Sequence, residues 1–327
     1  MDNEFTGRMN TRRTFMCQLA VTAGSLPMLT AGAESAAAVR VPRIGFLVSS
    51  TLPVLTNAFI EELRAQGYTD GENIIVERTE TAKGAVATRP DFIVAGSLPW
   101  ALSVRAEDPN MPMVIATCPG MISNGFAHTL EHPGGIYTGL DELPPGVTAR
   151  RLTLLKLAAP TVKRIALLST TPGVGGHETQ LADAEQAAQS LGLSVQPYRA
   201  TNADEVDVAL EAIDRDRMDG LLNFQGAVSL FRRQVIADFA AAHRLPAIYQ
   251  ATLFAEAGGL MTWAPDLVEQ YREAARLAAK LLRGAKPGEI PVKYPSKYFL
   301  TVNACAARKI GLTLPPALLE QADRVIE

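Results

Sequence analysis

The sequence predicts an α/β protein of two lobes, each built on a parallel sheet, with a hinge between them. Three observations carry this reading. Short apolar runs alternate with amphipathic helical stretches along most of the chain, the spacing of strand–helix–strand units with right-handed crossovers. The stretch 132–146, H-P-G-G-I-Y-T-G-L-D-E-L-P-P-G, sets a short β-capable run, Ile136-Tyr137-Thr138-Gly139, between glycines and prolines. One series of strand–helix units precedes it and a second follows, so it reads as the hinge. Finally, 327 residues with 47% apolar and 20% charged content suffice for two cores of ordinary size.

The N-terminus reads as an address. Thr11-Arg12-Arg13-Thr14-Phe15-Met16 precedes a weakly apolar segment, 19–29, and small residues follow at 31–33 and 36–38. That is the pattern of a cleavable twin-arginine export signal over residues 1–38, and it predicts a periplasmic protein. Nothing downstream has the ~20 uninterrupted apolar residues of a membrane span. A net charge of −3 offers no basic surface, so no nucleic-acid partner is expected. Of the cysteines beyond the signal, Cys118 and Cys305 lie far apart and read as two small buried thiols rather than a bridge.

In the first lobe, residues 43–48 form an apolar run of the kind a doubly covered parallel strand shows. A helix follows with Leu55, Phe59 and Leu63 on one face, stopped by Gly67. Further strands are expected at 73–77, 91–95 and 113–117. After the hinge, a helix at 147–157 points Leu152 and Leu155 inward. Strands at 164–168, 193–197, 220–223, 246–249 and 259–262 alternate with helices at 177–190 and 204–214 and with a helix whose inner stripe is Val228, Phe231, Val235 and Phe239. A long helix at 267–282 ends at Gly284. Strand-like stretches at 290–292 and 298–302 and two short helices close the chain.

In open parallel sheets, ligands sit beyond the carboxyl ends of the strands. The residues there are Ser49, Ser50, Thr51, Ser97, Trp100, Thr117, Ser169, Thr170, Gln225, Tyr249, Gln250 and Trp263. Hydroxyls, side-chain amides and helix N-terminal N–H groups suit carboxylates and other anions, and aromatic faces suit flat or apolar bodies. Two facing lobes would aim both sets at one cleft, so these twelve are the candidate ligand-binding residues.

Catalytic patterns are sparse. His128-Thr129-Leu130-Glu131-His132 matches H-x-x-E-H, but Pro133-Gly134-Gly135 follows at once, and the stretch reads as a helix C-terminus favoured by the dipole rather than a zinc site. Pro172-Gly173-Val174-Gly175-Gly176 misses the dinucleotide spacing. No catalytic residue, cofactor or metal is expected.

One resemblance extends this reading. Tyr298-Phe299-Leu300-Thr301-Val302-Asn303, then Ala307-Arg308-Lys309-Ile310-Gly311-Leu312-Thr313-Leu314-Pro315-Pro316, then Ala322-Asp323-Arg324-Val325-Ile326-Glu327 resemble the end of the ABC-transporter substrate-binding proteins of the tryptophan/tyrosine-uptake type. Gly71-Glu72-Asn73-Ile74, Pro133-Gly134-Gly135, Gly258-Gly259-Leu260-Met261 and Leu282-Arg283-Gly284-Ala285-Lys286-Pro287 agree in place and order. The resemblance implies a type I periplasmic-binding fold of two Rossmann-like lobes, 39–139 plus 264–290 and 140–263 plus 291–327. It implies a monomeric, non-enzymatic protein that holds a small solute, an amino acid or an aromatic or carboxylate compound, for an ABC permease in the inner membrane. A sensory ligand-binding protein would use the same fold and cleft; an exported hydrolase is the remaining alternative. Three departures stand out. Only about eight residues separate Lys83 from Pro90, where the family has a whole helix, so a covering element of the first lobe is expected to be missing. Gly120-Met121-Ile122 stands for Asp-Pro-Val, and Trp263-Ala264 for Tyr-Gly, so the solute need not be an aromatic amino acid.

Overall fold

The computed structural model describes residues 40–170, 175–224 and 226–327; the expected export signal and Gln225 lie outside them. In chain order the elements are β1 (Arg43–Leu47), α1 (Pro53–Ala65), β2 (Ile75–Thr79), α2 (Ala82–Ala87), β3 (Phe92–Ala95), α3 (Leu98–Glu107), β4 (Met113–Cys118), β5 (Tyr137–Asp141), α4 (Val147–Ala158), β6 (Arg164–Ser169) and α5 (Gly175–Leu191). Then come β7 (Ser194–Arg199), α6 (Ala203–Arg215), β8 (Gly220–Asn223), α7 (Ala227–Phe231), α8 (Arg233–Ala242), β9 (Ala247–Tyr249), α9 (Leu253–Glu256), β10 (Met261–Pro265) and α10 (Leu267–Leu282). A 3₁₀ turn (Pro287–Glu289), β11 (Tyr298–Asn303), α11 (Ala304–Lys309), α12 (Pro316–Leu319) and β12 (Arg324–Ile326) close the chain.

Two sheets result. The first is wholly parallel in the order β2-β1-β3-β4-β5, and the second runs β12-β11-β10-β9-β8-β6-β7. Each is covered on both faces, which is why its strands read as continuous apolar runs. In the first sheet, Phe46, Val94 and Val114 pack on α1 and α10, and Ile93, Ala95 and Ile115 on α2 and α3. Phe46 and Phe59 lie with ring centroids 4.3 Å apart; each buried ring contributes roughly 1.5–3 kcal/mol. Arg276 of α10 clasps both oxygens of Glu62 of α1, at 3.0 and 3.1 Å. In the second sheet, Ile165, Leu222 and Ile248 face α4 and α5, while Leu168, Leu221 and Tyr249 face α6, α8 and α9.

β5 closes the edge of the first sheet against β4, whose register shifts between Ile115 and Cys118. Gly139 is required there, because a Cβ would fall 2.2 Å from the Ile115 carbonyl oxygen. Between the sheets the chain passes three times: at 142–146, at Asp266 and at 290–297. The Pro133-Gly134-Gly135 turn meets the 3₁₀ turn, with the Gly134 N–H donating to the Gly288 carbonyl at 3.2 Å.

Several local expectations are corrected. The span 83–90 holds α2, N-capped by Thr81 Oγ1, which accepts the Gly84 N–H at 3.1 Å; the covering element is shortened, not missing. The stripe 228–239 is broken at Arg232, and Phe231 is 80% exposed. Helix α8 restarts at Arg233 and buries Ile236, Ala237 and Ala240, which turns Val235 outward. Residues 127–135 hold no helix, so His128 and His132 are not placed by a helix dipole; Thr129 Oγ1 accepts the His132 N–H in a turn. Residues 290–292 form no strand, and Val292 only donates its N–H to the Leu130 carbonyl. The second sheet is mixed, since β11 runs antiparallel to β10, and β12 adds an unexpected edge beside β11. Cys118 is buried and Cys305 half-buried; both are free.

Candidate functional site

The carboxyl ends of the first sheet are largely tied down. Ser49 Oγ lies 2.8 Å from Thr51 Oγ1, and the exposed Ser50 donates its N–H to Glu80 Oε1 at 2.6 Å. Those Ser50 contacts hold the Glu80 carboxyl below its usual range. Ser97 takes the N-cap position of α3, yet its side chain makes no capping bond, which leaves that hydroxyl for another partner. Trp100 stands half-buried in the first turn of α3. Thr117 is buried and donates to the Gly96 carbonyl, which also receives the Tyr271 hydroxyl from α10, at 3.0 and 3.1 Å. The loop after β4 hangs on one carboxylate: Asp141 accepts the N–H groups of Gly120, Met121 and Leu143 at 2.8–3.0 Å. Burial, opposed by those bonds, raises the Asp141 pKa.

In the second sheet, Ser169 is buried at the end of β6, and Thr170 Oγ1 accepts the Ser229 N–H at 3.3 Å. Gln250 donates to Gln180 of α5 at 2.6 Å. His177, in the first turn of α5, is buried edge-on to Phe224 at 5.6 Å, and neither ring nitrogen has a partner among the described residues. Burial pushes its pKa down. Tyr249 does not join this set. Strand alternation turns it to the opposite face, where it stacks on Phe254 at 4.5 Å inside the core. Its neighbour in register, Asn223, is also fully buried, and neither amide atom has a partner among the described residues.

The two sets meet. Gly176, at the start of α5, lies against Pro119 and Gly120 after β4 so closely that a Cβ on it would fall 1.7 Å from the Pro119 oxygen. The tips of the first and second sheets are therefore in backbone contact across the gap between them.

Behind that contact, the crossovers enclose a charged cluster absent from the sequence-derived set. Glu142, on the first crossover, accepts Gln270 Nε2 from α10 at 3.1 Å, and its carbonyl accepts the Tyr298 hydroxyl from β11 at 2.9 Å. Burial pushes the Glu142 carboxyl up to about 7. Arg151 of α4, 2% exposed, donates Nε–H to the Trp263 carbonyl at 3.1 Å, and its guanidinium lies 5.9 Å from the indole centre. Trp263 in turn packs on Tyr298 at 4.8 Å. Burial lowers Arg151 to about 10, leaving it charged at neutral pH. A groove of about 470 Å³ lies between α10 and the third crossover, lined by Gln270, Glu273, Lys293 and Phe299 among others. Lys293 is paired with Glu273, and Lys297 with Asp323, so these charges are satisfied internally.

Comparison with known proteins places this arrangement. The chain is 23% identical over 255 residues to the tyrosine-binding protein of Clostridioides difficile strain R20291, covering 75% of this chain and 73% of that protein. Among solved structures, an ABC domain in complex with L-Trp from Streptococcus pneumoniae superposes with a TM-score of 0.79 at 21% identity, covering 88% of this chain and all of that one. The ligand-free, open structure of a substrate binding protein with adhesive properties from Clostridium difficile gives 0.64 at 22% identity, covering 88% and 99%. The fold is that of the type I periplasmic-binding proteins. A family model described as ABC transporter substrate binding protein matches residues 47–326. With that match spanning most of its length, the chain belongs to the ABC transporter substrate binding protein family.

Proposed function

We propose that this protein is the extracytoplasmic solute-binding component of an ABC importer. It works without catalysis or a cofactor, as a periplasmic monomer that delivers its solute to a permease in the inner membrane. The lobes are the two sheets with their helices, 40–141 plus 267–289 and 147–265 plus 298–327, joined by the three crossovers, and the solute lies between them. The observation that carries the reading is the contact of Gly176 with Pro119 and Gly120: the strand tips of the two sheets meet where a solute would be enclosed. Support also comes from the higher TM-score to the L-Trp complex than to the open, ligand-free relative.

The mechanism is hinge closure. The three crossovers flex, and the closed form gains from contacts that both lobes make to the solute. Ser49, Ser50, Thr51, Ser97, Trp100 and Thr117 contribute from the first lobe; Ser169, Thr170, Gln225, Gln250 and Trp263 contribute from the second. Tyr249 supports that wall from behind. The solute is an amino acid or an aromatic or carboxylate compound. Relatives named for tyrosine or solved with L-Trp make the first class worth screening, and the Trp263-Ala264 departure makes the others equally so.

The test is a thermal-shift screen of the chain from residue 39 onward against amino acids, aromatic acids, small carboxylates and sugars. A solute present at 100 times its Kd stabilises the native state by about 2.7 kcal/mol, a clear rise in Tm. A screen in which no solute raises Tm overturns the reading. Export is tested separately: replacing Arg12 and Arg13 by Lys should strand the chain in the cytoplasm.

A further inference from the structure

Three chain segments join the two sheets, and Glu142, the first residue of the first crossover, stands where they converge. Its N–H donates to the Cys118 carbonyl of β4 at 2.9 Å, and its carboxyl accepts Gln270 Nε2 of α10 at 3.1 Å, one turn beyond the second crossover. Both of those partners belong to the first lobe. Its carbonyl accepts the Tyr298 hydroxyl at 2.9 Å, from the residue that opens β11 after the third crossover. The buried Arg151 guanidinium of α4 is its electrostatic partner. Tyr298 and Arg151 belong to the second lobe. Glu142 itself is buried. It is thus held from one side by the first lobe and from the other by the second. Rotating one lobe against the other about the crossovers separates these two sets of partners and lets water reach the carboxyl between them.

We propose that Glu142 makes the hinge proton-linked: closure binds a proton at its carboxyl and opening releases it, so that acid favours the closed, solute-holding form. The inference rests on the hinge-closure reading above and adds a regulator to it. With the strand tips in contact, burial pushes the Glu142 carboxyl up to about 7, against the pull of Gln270 and Arg151. Opening that hydrates the group returns it toward its ordinary 4.5. The state that binds the proton more tightly is favoured as pH falls, and here that state is the closed one. Full hydration in the open form makes closure about 10-fold more favourable at pH 6 than at pH 8. The other groups facing Glu142 keep one charge state over that range. Burial raises the Tyr271 and Tyr298 hydroxyls and the Cys118 thiol, and it lowers Arg151 only to about 10. Asp141, the neighbouring carboxyl that burial also raises, is common to every chain compared below.

The experiment compares the full chain with Glu142→Gln, whose side chain does not ionise. Small-angle scattering is recorded without solute at pH 6 and pH 8. L-tryptophan and L-tyrosine, whose net charge is constant over that range, are titrated calorimetrically at the same two values. The natural chain should be more compact at pH 6, and an amino acid that binds should do so about 3- to 10-fold more tightly there. Glu142→Gln should lose both dependences. Gln270→Met removes a bond that favours the ionised carboxyl, so its transition should move to higher pH; an unmoved transition overturns the inference, and this variant decides if Glu142→Gln does not fold. A purely structural Glu142 would change the stability of both variants and leave the pH profile of closure flat. A bound amino acid whose Kd is the same at pH 6 and pH 8, or a pH dependence that Glu142→Gln keeps in full, overturns the inference and leaves the solute-binding reading intact. If neither amino acid binds, scattering decides alone, and equal radii of gyration at the two pH values overturn it. Failure of the wider thermal-shift screen removes the solute-binding reading by a separate measurement.

Discussion

Gly176 and Pro119 approach each other as only backbone can: a side chain of any size on Gly176 would overlap the Pro119 carbonyl, at 1.7 Å for a Cβ. No rotamer relieves that overlap, because both partners are main chain. Gly176→Ala should therefore hold the two sheet tips apart. On the closure mechanism, solute affinity should fall by about 10-fold or more as the closed state is depopulated, and the radius of gyration with solute should rise toward the solute-free value. Small-angle scattering and calorimetry read the two effects. An unchanged affinity would show that the contact plays no part in capture.

Asp141 organises the partner side of that contact. Its carboxylate accepts three N–H groups, two of them buried in the Gly120-Met121 turn. Asp141→Ala leaves those donors without an acceptor and should cost about 3 kcal/mol in urea unfolding. Asp141→Asn, which keeps one acceptor oxygen, should cost less. Equal stability of the alanine variant would mean that water takes over all three bonds.

Glu142 should leave a signature in the pH dependence of stability. Its carboxyl titrates near 7 in the folded chain, against an ordinary 4.5. Between those values the folded state keeps a proton that the unfolded chain has released. Stability from this group is thus fully present below pH 4.5, declines as pH rises through 7, and is flat beyond. The difference in unfolding free energy between the natural chain and Glu142→Gln should shrink by about 3 kcal/mol from pH 4.5 to 8. Asp141 is present in both chains and cancels in that comparison. A difference that does not change with pH would show that the Glu142 carboxyl is hydrated.

Trp100 and Trp263 stand half-buried on opposite sheets. Truncating both to Ala should weaken binding of an identified aromatic or carboxylate solute by about 10-fold or more, given roughly 0.5–1.5 kcal/mol per aromatic contact beyond area burial. Trp263→Ala also removes the Tyr298 contact, so its solute-free Tm should fall, and that drop is measured separately. Full affinity in the double variant would remove the aromatic contribution from the site.

The strands were legible because doubly covered parallel strands carry unbroken apolar runs, as at 44–48 and 113–118. The strand ends were legible for the same reason: Ser169 ends β6 and Gln250 follows β9. Tyr249 was not: alternation sends it to the far face, and the three-residue β9 was too short to reveal its phase. Helix α2 escaped because six residues show no helical period. Arg151 escaped because an arginine inside a helix ordinarily faces solvent. Its signal was present all the same, as a charge four residues from both Val147 and Leu155 on an apolar stripe. Asp141 and Glu142 looked like hinge punctuation, since nothing local announces which backbone donors a carboxylate will reach.

The clasp of α1 by α10 also has a temporal side. One partner is made early and the other near the end of translation, with strands β6 to β10 of the second sheet between them. At ~5–20 residues per second, roughly 6–25 s separate completion of β5 from the emergence of α10. For that interval the nascent chain exposes Phe46, Val94 and Val114 on a sheet lacking half its roof, and the second sheet still lacks β11 and β12. The half that is synthesised first cannot finish until most of the other has been made, and its bare apolar face needs shelter at the ribosome.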